Sequence, residues 1–340
     1  MSTPAASAGR PVPAGGRSDW RRLLGVTWRQ HRLPLLTVAI LFGGFAALLV
    51  IQGIGMHAAY QAFGLSYSHP ANTARTISFA GTFESEYLGI GMYLPRFLMF
   101  LPLVIGAFLG GPLIARELET GSFRFAWTQS VGRTRWTIAK LAILSLALTV
   151  MALGFSALFA WWYRPFEQLI GRATEVEGLV FAARMLFGFA LGAFVGAVLR
   201  RTVPAIAATM ALWLAVVVPI AALLRPHFEA PLTGRVNMAA KFGTEWTLSQ
   251  WWVTPQGHRL SDAAYNALIR RLPTADPQSW LVSHHYVLWE SFQPASRFWT
   301  FQIIEASGLC VLALALAAAT VWWVRRRTLD LGVGSEGNPA

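Results

Sequence analysis

A chain of 340 residues that is 55% hydrophobic and only 13% charged is too apolar for an ordinary soluble domain, in which about a quarter of residues carry charge. Its formal net charge of +12 would suit a nucleic-acid partner, so the placement of the arginines has to decide. The one cysteine, Cys310, lies in an apolar run and excludes an intrachain disulfide framework.

Residues 1–17 are rich in Ala, Gly, Pro and Ser and are expected to form a disordered cytoplasmic tail. Arg21-Arg22 could open a twin-arginine export signal. The apolar run that follows is longer than the roughly 7–15 residues of such a signal's apolar core, so it is read as an uncleaved span. Segment 18–33, SDWRRLLGVTWRQHR and the residue after it, places Trp20, Leu23, Leu24 and Trp28 on one helical face, with Arg21, Arg22 and Arg29 away from it. That pattern suits a helix lying in the inner membrane interface. A plain basic flank that only sets orientation is the alternative.

Runs approaching or exceeding the roughly 20 apolar residues that cross a bilayer lie at Pro34–Ile51, Pro95–Ile114, Thr137–Tyr163, Gly178–Leu199, Val203–Leu224 and Phe298–Val324. They are read as six transmembrane helices, with residues 34–224 carrying the first five and 298–324 the sixth. The basic residues gather before Arg32, after the second span (Arg116, Arg124, Arg133, Arg135, Lys140), at Arg200-Arg201, and at Arg325 to Arg327. If spans alternate, these segments share one side. The longer connections on the other side carry acids and bases in nearly equal number. Short basic connections face the cytoplasm, so both termini and the tail 325–340 are expected inside, in a bacterial cytoplasmic (plasma) membrane. The charge is then a topology signal that also favours anionic lipid, with no nucleic-acid partner.

Two outside connections are long, Gln52–Leu94 and Arg225–Arg297. The second, 225–297, has room for a small extracytoplasmic domain. Within it LSDAAYNALIRRLP reads as a helix: Ser261 caps it, Tyr265, Leu268, Ile269 and Leu272 form an apolar face, and Pro273 stops it. WTLSQWWVT and SWLVSHHYVLWESF could be strands or interface-hugging segments. The predicted fold class is an all-α polytopic membrane protein with six transmembrane helices and this small domain between helices 5 and 6.

The turn after the second span, residues 115–136, is unusually rich in polar and aromatic residues. Arg133, Arg135 and Lys140 lie near the N-terminus of the third span, where cations oppose the helix dipole at a cost of about 0.3–1 kcal/mol each, so another demand places them there. Topology is one. The middle, GSFRFAWTQ, is too polar for lipid; as a short surface helix it puts Phe123, Ala126 and Trp127 on one face. Lipid, the protein's own bundle or a protein partner could cover that stripe.

RELETGSFRFAWTQSVGRTRWTIAK resembles the loop between the second and third spans of ABC-2 type transporter permeases: an acidic pair, Gly-Thr or Gly-Ser, an apolar-aromatic helix, a polar-Arg turn, then a basic residue opening the third span. FQPASRFWTFQIIE before the sixth span is similar to one branch of that family. The resemblance implies a membrane subunit of an ATP-driven exporter of drugs, lipids or peptides. It implies a homodimer or heterodimer of permeases with a separate ATP-binding-cassette ATPase docked on this loop. Carried over residue by residue, ATPase coupling falls to Glu117, Glu119, Phe123, Arg124, Trp127, Gln129, Arg133 and Arg135. Segment 18–33 resembles the family's connecting helix.

Other motifs bound the chemistry. No G-x-x-x-x-G-K-[ST] occurs, so this chain carries no P-loop; ATP would be bound by the partner, and no cofactor is expected here. GVGSEG, with Gly332, Gly334 and Gly337, matches G-x-G-x-x-G but has no strand before it and no helix after. No H-E-x-x-H or G-x-S-x-G is present. His258, His284, His285 and Glu290 could in principle bind a metal, but adjacent histidines in an extended segment point apart, so no metal site and no catalytic residue is expected. Glu305 is the one acid inside a span, with Gln302 a turn away. An intramembrane charge marks function by default. Pairing with Arg184, or a place in the substrate path, are both open. Gly188, Gly192 and Gly196, and Gly106 and Gly110, are spaced for close helix approach, with the partner helix unread. A membrane-embedded enzyme using His284, His285 and Glu290, or a non-transporting sensor or scaffold, are the competing readings.

Overall fold

The computed structural model describes residues 18–62, 87–120, 133–170, 176–236, 245–272 and 276–326, with the side chains of 18–31, 88, 120, 133 and 168–170 outside that description. Among the described residues, six helices are long and apolar enough to cross a membrane: Arg32–Ala62, Gly89–Glu119, Thr134–Glu167, Leu179–Leu199, Thr202–His227 and Ala295–Arg326. These are the six expected spans, most of them longer than the apolar run alone suggests. Helices continue past the hydrophobic stretch because backbone hydrogen bonding does not stop where apolar side chains do. Segment 18–33 is helical and runs without a break into span 1, through Pro34, as one helix Ser18–Ala62.

Span 4 is the centre of the bundle. It packs against spans 2, 3, 5 and 6, and 83% of its apolar window is buried, against 17% for span 5 and 22% for span 1. The outer faces of spans 1, 5 and 6 leave Leu36, Ile40, Ile54, Val203, Ile303 and Leu314 exposed. Lipid tails solvate such faces without cost, since within a bilayer only the backbone must be satisfied internally.

What lets span 4 sit so centrally is its glycine stripe. Gly188, Gly192 and Gly196 meet Gly106, Gly110 and Gly111 of span 2: a Cβ on Gly106 would lie 2.5 Å from the Gly188 carbonyl carbon, and one on Gly110 would lie 2.5 Å from the Phe189 oxygen. The two small-residue rows seen in the sequence are therefore partners of each other. Span 2 widens into a π-helical turn over Gly106–Gly110, a bulge of the kind that interrupts helices where local packing demands it.

Between spans 5 and 6 the chain forms a three-stranded antiparallel sheet in the order β1-β3-β2, with β1 Leu232–Arg235, β2 Trp246–Val253 and β3 Val287–Gln293. The fold is thus mostly rather than wholly helical. The Trp-, Val- and Thr-rich runs suit a pleated surface better than a helix. Helix Asp262–Ile269 starts where expected, with the Ser261 Oγ accepting from the Ala264 N–H at 3.2 Å, and ends before Leu272, which falls outside it. The second aromatic run divides: Pro277–Ser283 is helical, capped by Asp276, and only then does β3 begin. Pro at the first helical position is pre-organised for that start.

The sheet unit is fastened to the bundle at the mouths of spans 5 and 6. Gln293 Nε2 donates to the carbonyls of Pro226 (3.0 Å) and Glu229 (2.8 Å). Arg297 pairs with Glu229 at 2.5 Å and donates to the Ala230 carbonyl at 2.8 Å. Phe301 of span 6 receives Phe228 and Trp246 edge-on.

Candidate functional site

Two polar constellations stand at opposite ends of the bundle. The first is the root of the loop after span 2. Glu117 forms an ion pair with Lys140 of span 3, whose ammonium also lies 3.5 Å from the centroid of the Trp136 ring. Lys140 is 2% exposed, so an apolar wall and one carboxylate replace the water it would otherwise hold. Glu119, one turn-half further, turns to span 5. Its Oε2 accepts from the Thr202 N–H at 3.1 Å and from the Thr202 hydroxyl at 2.7 Å.

Thr202 opens the span 5 helix, and the preceding Arg201 makes no side-chain cap. A carboxylate from span 2 thereby satisfies an N–H that the helix itself leaves orphaned, and a negative charge at a helix N-terminus also suits its dipole. Removing it with Glu119→Ala is expected to cost about 0.5–2 kcal/mol, the usual range for a lost cap. Thermal unfolding of the detergent-solubilised protein measures this. Glu119→Gln, which keeps an acceptor oxygen, should recover part of the loss.

Of the eight residues assigned to coupling by resemblance, Glu117 and Glu119 are thus engaged with spans 3 and 5. Arg133 begins the third-span helix, and Arg135 is exposed beside the buried Thr137. Phe123, Arg124, Trp127 and Gln129 lie outside the described residues.

The second constellation lies at the sheet end. Arg184 Nε and Nη2 donate to Glu305 Oε1 at 2.8 and 2.6 Å, and Arg225 Nη1 lies 3.5 Å from the other carboxylate oxygen. Both members of the Arg184–Glu305 pair are sealed from solvent, with side-chain exposures of 0%. From the helical rise, Arg184 sits about 8 Å inside the start of span 4, and Glu305 about 10 Å past Phe298, where the α-helix of span 6 begins. Arg225 closes the triad from the end of span 5, with its guanidinium 5.8 Å from the Trp246 ring. The cluster therefore holds spans 4, 5 and 6 and the first residue of β2.

Gln302 has a different task from its neighbour Glu305. Its Oε1 accepts from the Val180 N–H at 2.9 Å, capping the start of span 4 from span 6. The residue before that helix, Gly178, has φ +73, and a Cβ there would lie 2.8 Å from the Gln302 amide oxygen. Ser156 of span 3 donates to the Gly178 carbonyl at 3.1 Å, so one glycine joins three spans.

Sequence reasoning offered pairing with Arg184 as one of two roles for Glu305, beside a place in the substrate path, and missed Arg225. The available signal was an arginine directly at the end of span 5, but only the bundle's closure brings that end beside span 6. Lys140 was read as a topology charge, whereas its burial makes it a joint between spans 2 and 3.

His258, His284, His285 and Glu290 do not converge. His284 and His285 end a short helix rather than lying in an extended run: the His284 ring stacks on Trp280 with centroids 3.7 Å apart. Glu290 accepts from Thr247 (3.1 Å) and Gln250 (3.2 Å) on β2. Burial, reinforced by the Glu290 carboxylate, pushes Glu245 above the usual carboxylate range. Among the described residues no group of three or more His, Cys, Asp or Glu converges as a metal site would require.

Comparison with curated proteins gives no match. A family model described as ABC-2 membrane transporter related matches residues 39–225. The match runs from within span 1 to the end of span 5, taking in the loop, both its anchoring glutamates, Arg184 and Arg225, and it ends before the sheet unit and Glu305. With a family match over more than half its length and, among the described residues, six helices long and apolar enough to cross a membrane, the chain belongs to the ABC-2 membrane transporter related family and is a membrane transporter component.

Proposed function

We propose that this chain is the membrane-spanning permease subunit of an ATP-binding-cassette exporter, driven by a separate ATPase that docks on the loop at 115–136. Phe123 and Trp127 supply the apolar contact, and Arg124, Gln129, Arg133 and Arg135 set its register. Aromatic residues and arginine are the side chains that most often dominate such contacts. The observation that carries this reading is the loop's anchorage. Glu117 and Glu119 tie its N-terminal root to spans 3 and 5, so a displacement of the loop reaches three spans together rather than bending one. The buried Arg184–Glu305–Arg225 cluster holds the opposite ends of spans 4, 5 and 6 as the body against which that displacement works.

Two copies form the transport unit, as a homodimer or heterodimer, and the cargo passes between them. The exposed apolar faces of spans 1 and 5 are available to a second copy or to lipid. Both termini and the 115–136 loop lie on the cytoplasmic side, by the placement of the arginines. The unit at 225–297 lies outside.

Affinity purification from native membranes tests the docking role. The wild-type chain should bring down a soluble P-loop ATPase, and Trp127→Ala with Arg124→Glu should lose it while still inserting. Equal recovery of the ATPase with that double variant would remove the loop as its docking point.

A further inference from the structure

The sheet unit carries a cavity of about 420 Å³, within the range of small-molecule sites. Strand register explains its lining. Arg235 of β1, Trp289 of β3 and Trp251 of β2 are direct cross-strand partners in one row, so all three side chains project from the same face. The Arg235 guanidinium stands 5.6 Å from the Trp289 ring centroid. A second arginine arrives from the hairpin after β2. The turn closes with Gly257 at φ +86 and the Thr254 N–H bonded to the His258 carbonyl at 2.9 Å. Arg259 then bridges back to Val253 and sets its guanidinium 4.4 Å from the Trp251 ring centroid.

Two cations thus line a cavity with two indole faces between them. His285 lines it as well. It occupies a left-handed backbone position, φ +62, at the end of a helix, where glycine is the usual and less strained choice. No acid is among the described residues lining the cavity. Glu290, next to Trp289 in sequence, alternates to the other face, where it is bonded to Thr247 and Gln250.

We propose that this cavity binds an amphipathic phosphate: the phosphate is held by Arg235 and Arg259, with His285 beside it, and the apolar body lies against Trp251 and Trp289. Arginine's planar fork suits phosphate oxygens, and stacking on an indole holds that fork in place without neutralising it. An anion without an apolar part would leave the indole surface not covered by the guanidiniums facing water, and an apolar molecule without a charge would leave the guanidiniums unused. The same chemistry is offered by a bilayer phospholipid headgroup and by a soluble organic phosphate. The assignment is independent of ATPase docking, since the cavity lies at the other end of the chain's spans.

Native mass spectrometry of the full chain in nonionic detergent tests it, titrating dioctanoyl phosphatidylglycerol in one arm and phenyl phosphate in the other. At least one should bind, and R235Q/R259Q should weaken it by about tenfold or more, as loss of charged hydrogen bonds predicts. Binding of the first alone assigns the bilayer as the source; binding of the second alone assigns a soluble phosphate. R259Q, at an exposed hairpin position, should weaken binding without threatening the fold, and R270Q on the neighbouring helix should leave it unchanged. The proposal fails if neither probe binds, if the arginine variants bind as well as wild type, or if dioctanoylglycerol or inorganic phosphate binds as tightly as the amphipathic phosphates.

Discussion

Glu305→Ala is expected to destabilise the protein by about 3–5 kcal/mol, the cost of leaving buried charge without its partner. The carboxylate bridges Arg184 and Arg225, with hydrogen bonds of 2.8 and 2.6 Å to the first and an ion pair of 3.5 Å to the second. Removing it leaves two guanidiniums facing each other in a site with almost no water, where their repulsion is little screened. The cluster is not symmetric in this respect. Arg184→Met takes away one cation and leaves Glu305 still beside Arg225, so its cost should be markedly smaller. Thermal unfolding followed by tryptophan emission ranks the two variants. Equal losses would mean that the carboxylate does not act as a bridge, and that Arg184 and Glu305 form an isolated pair.

Gly192→Ala is expected to cost about 1–3 kcal/mol or more, as overpacking of a closed interface does. A methyl at that position would collide with the Gly106 carbonyl oxygen and lie 2.7 Å from the Gly111 nitrogen. Both obstacles are backbone, so no side chain can swing away. Span 4 would have to separate from span 2, and every contact of the central helix would loosen with it. Gly154 and Gly308 are the controls, because nothing lies within 4 Å of a Cβ built on either. Alanine there should be neutral or stabilising by about 0.5–1 kcal/mol through helix propensity. The same unfolding assay separates these outcomes. If Gly192→Ala behaves like Gly154→Ala, the close approach of spans 2 and 4 is not a feature of the folded protein.

The two effects bear on function through the same helix. Span 4 is joined to span 2 by glycines, to span 6 by Arg184 and the Gln302 cap, and to span 3 by the Ser156–Gly178 contact. In the proposed exporter, motion delivered at the loop root through Glu117 and Glu119 would therefore meet a helix that cannot be displaced alone. If the proposed ATPase coupling holds, variants that loosen span 4 should uncouple ATP hydrolysis from transport even where the protein still inserts.

The existence of six spans was legible because a bilayer imposes a simple requirement: about 20 apolar residues in succession, a one-dimensional property that needs no knowledge of neighbours. Ser261 as a helix cap was legible for a similar reason, since capping is settled within a few residues. The glycine rows announced close packing, and Glu305 and Arg184 announced a partner, because small residues and intramembrane charges are rarely placed for any other purpose. Sequence alone thus determined the number of spans, the glycine rows, Arg184 and Glu305 as residues in need of a partner, and the helix start at Ser261. The tertiary structure decided who meets whom: that the two glycine rows face each other, that Arg225 completes the Glu305 cluster, that Glu119 caps a helix 83 residues away, and that Arg235, Trp289 and Trp251 stand in one row. Those pairings depend on how helices cross and strands register, which distant segments settle jointly, and no single stretch of chain carries that information.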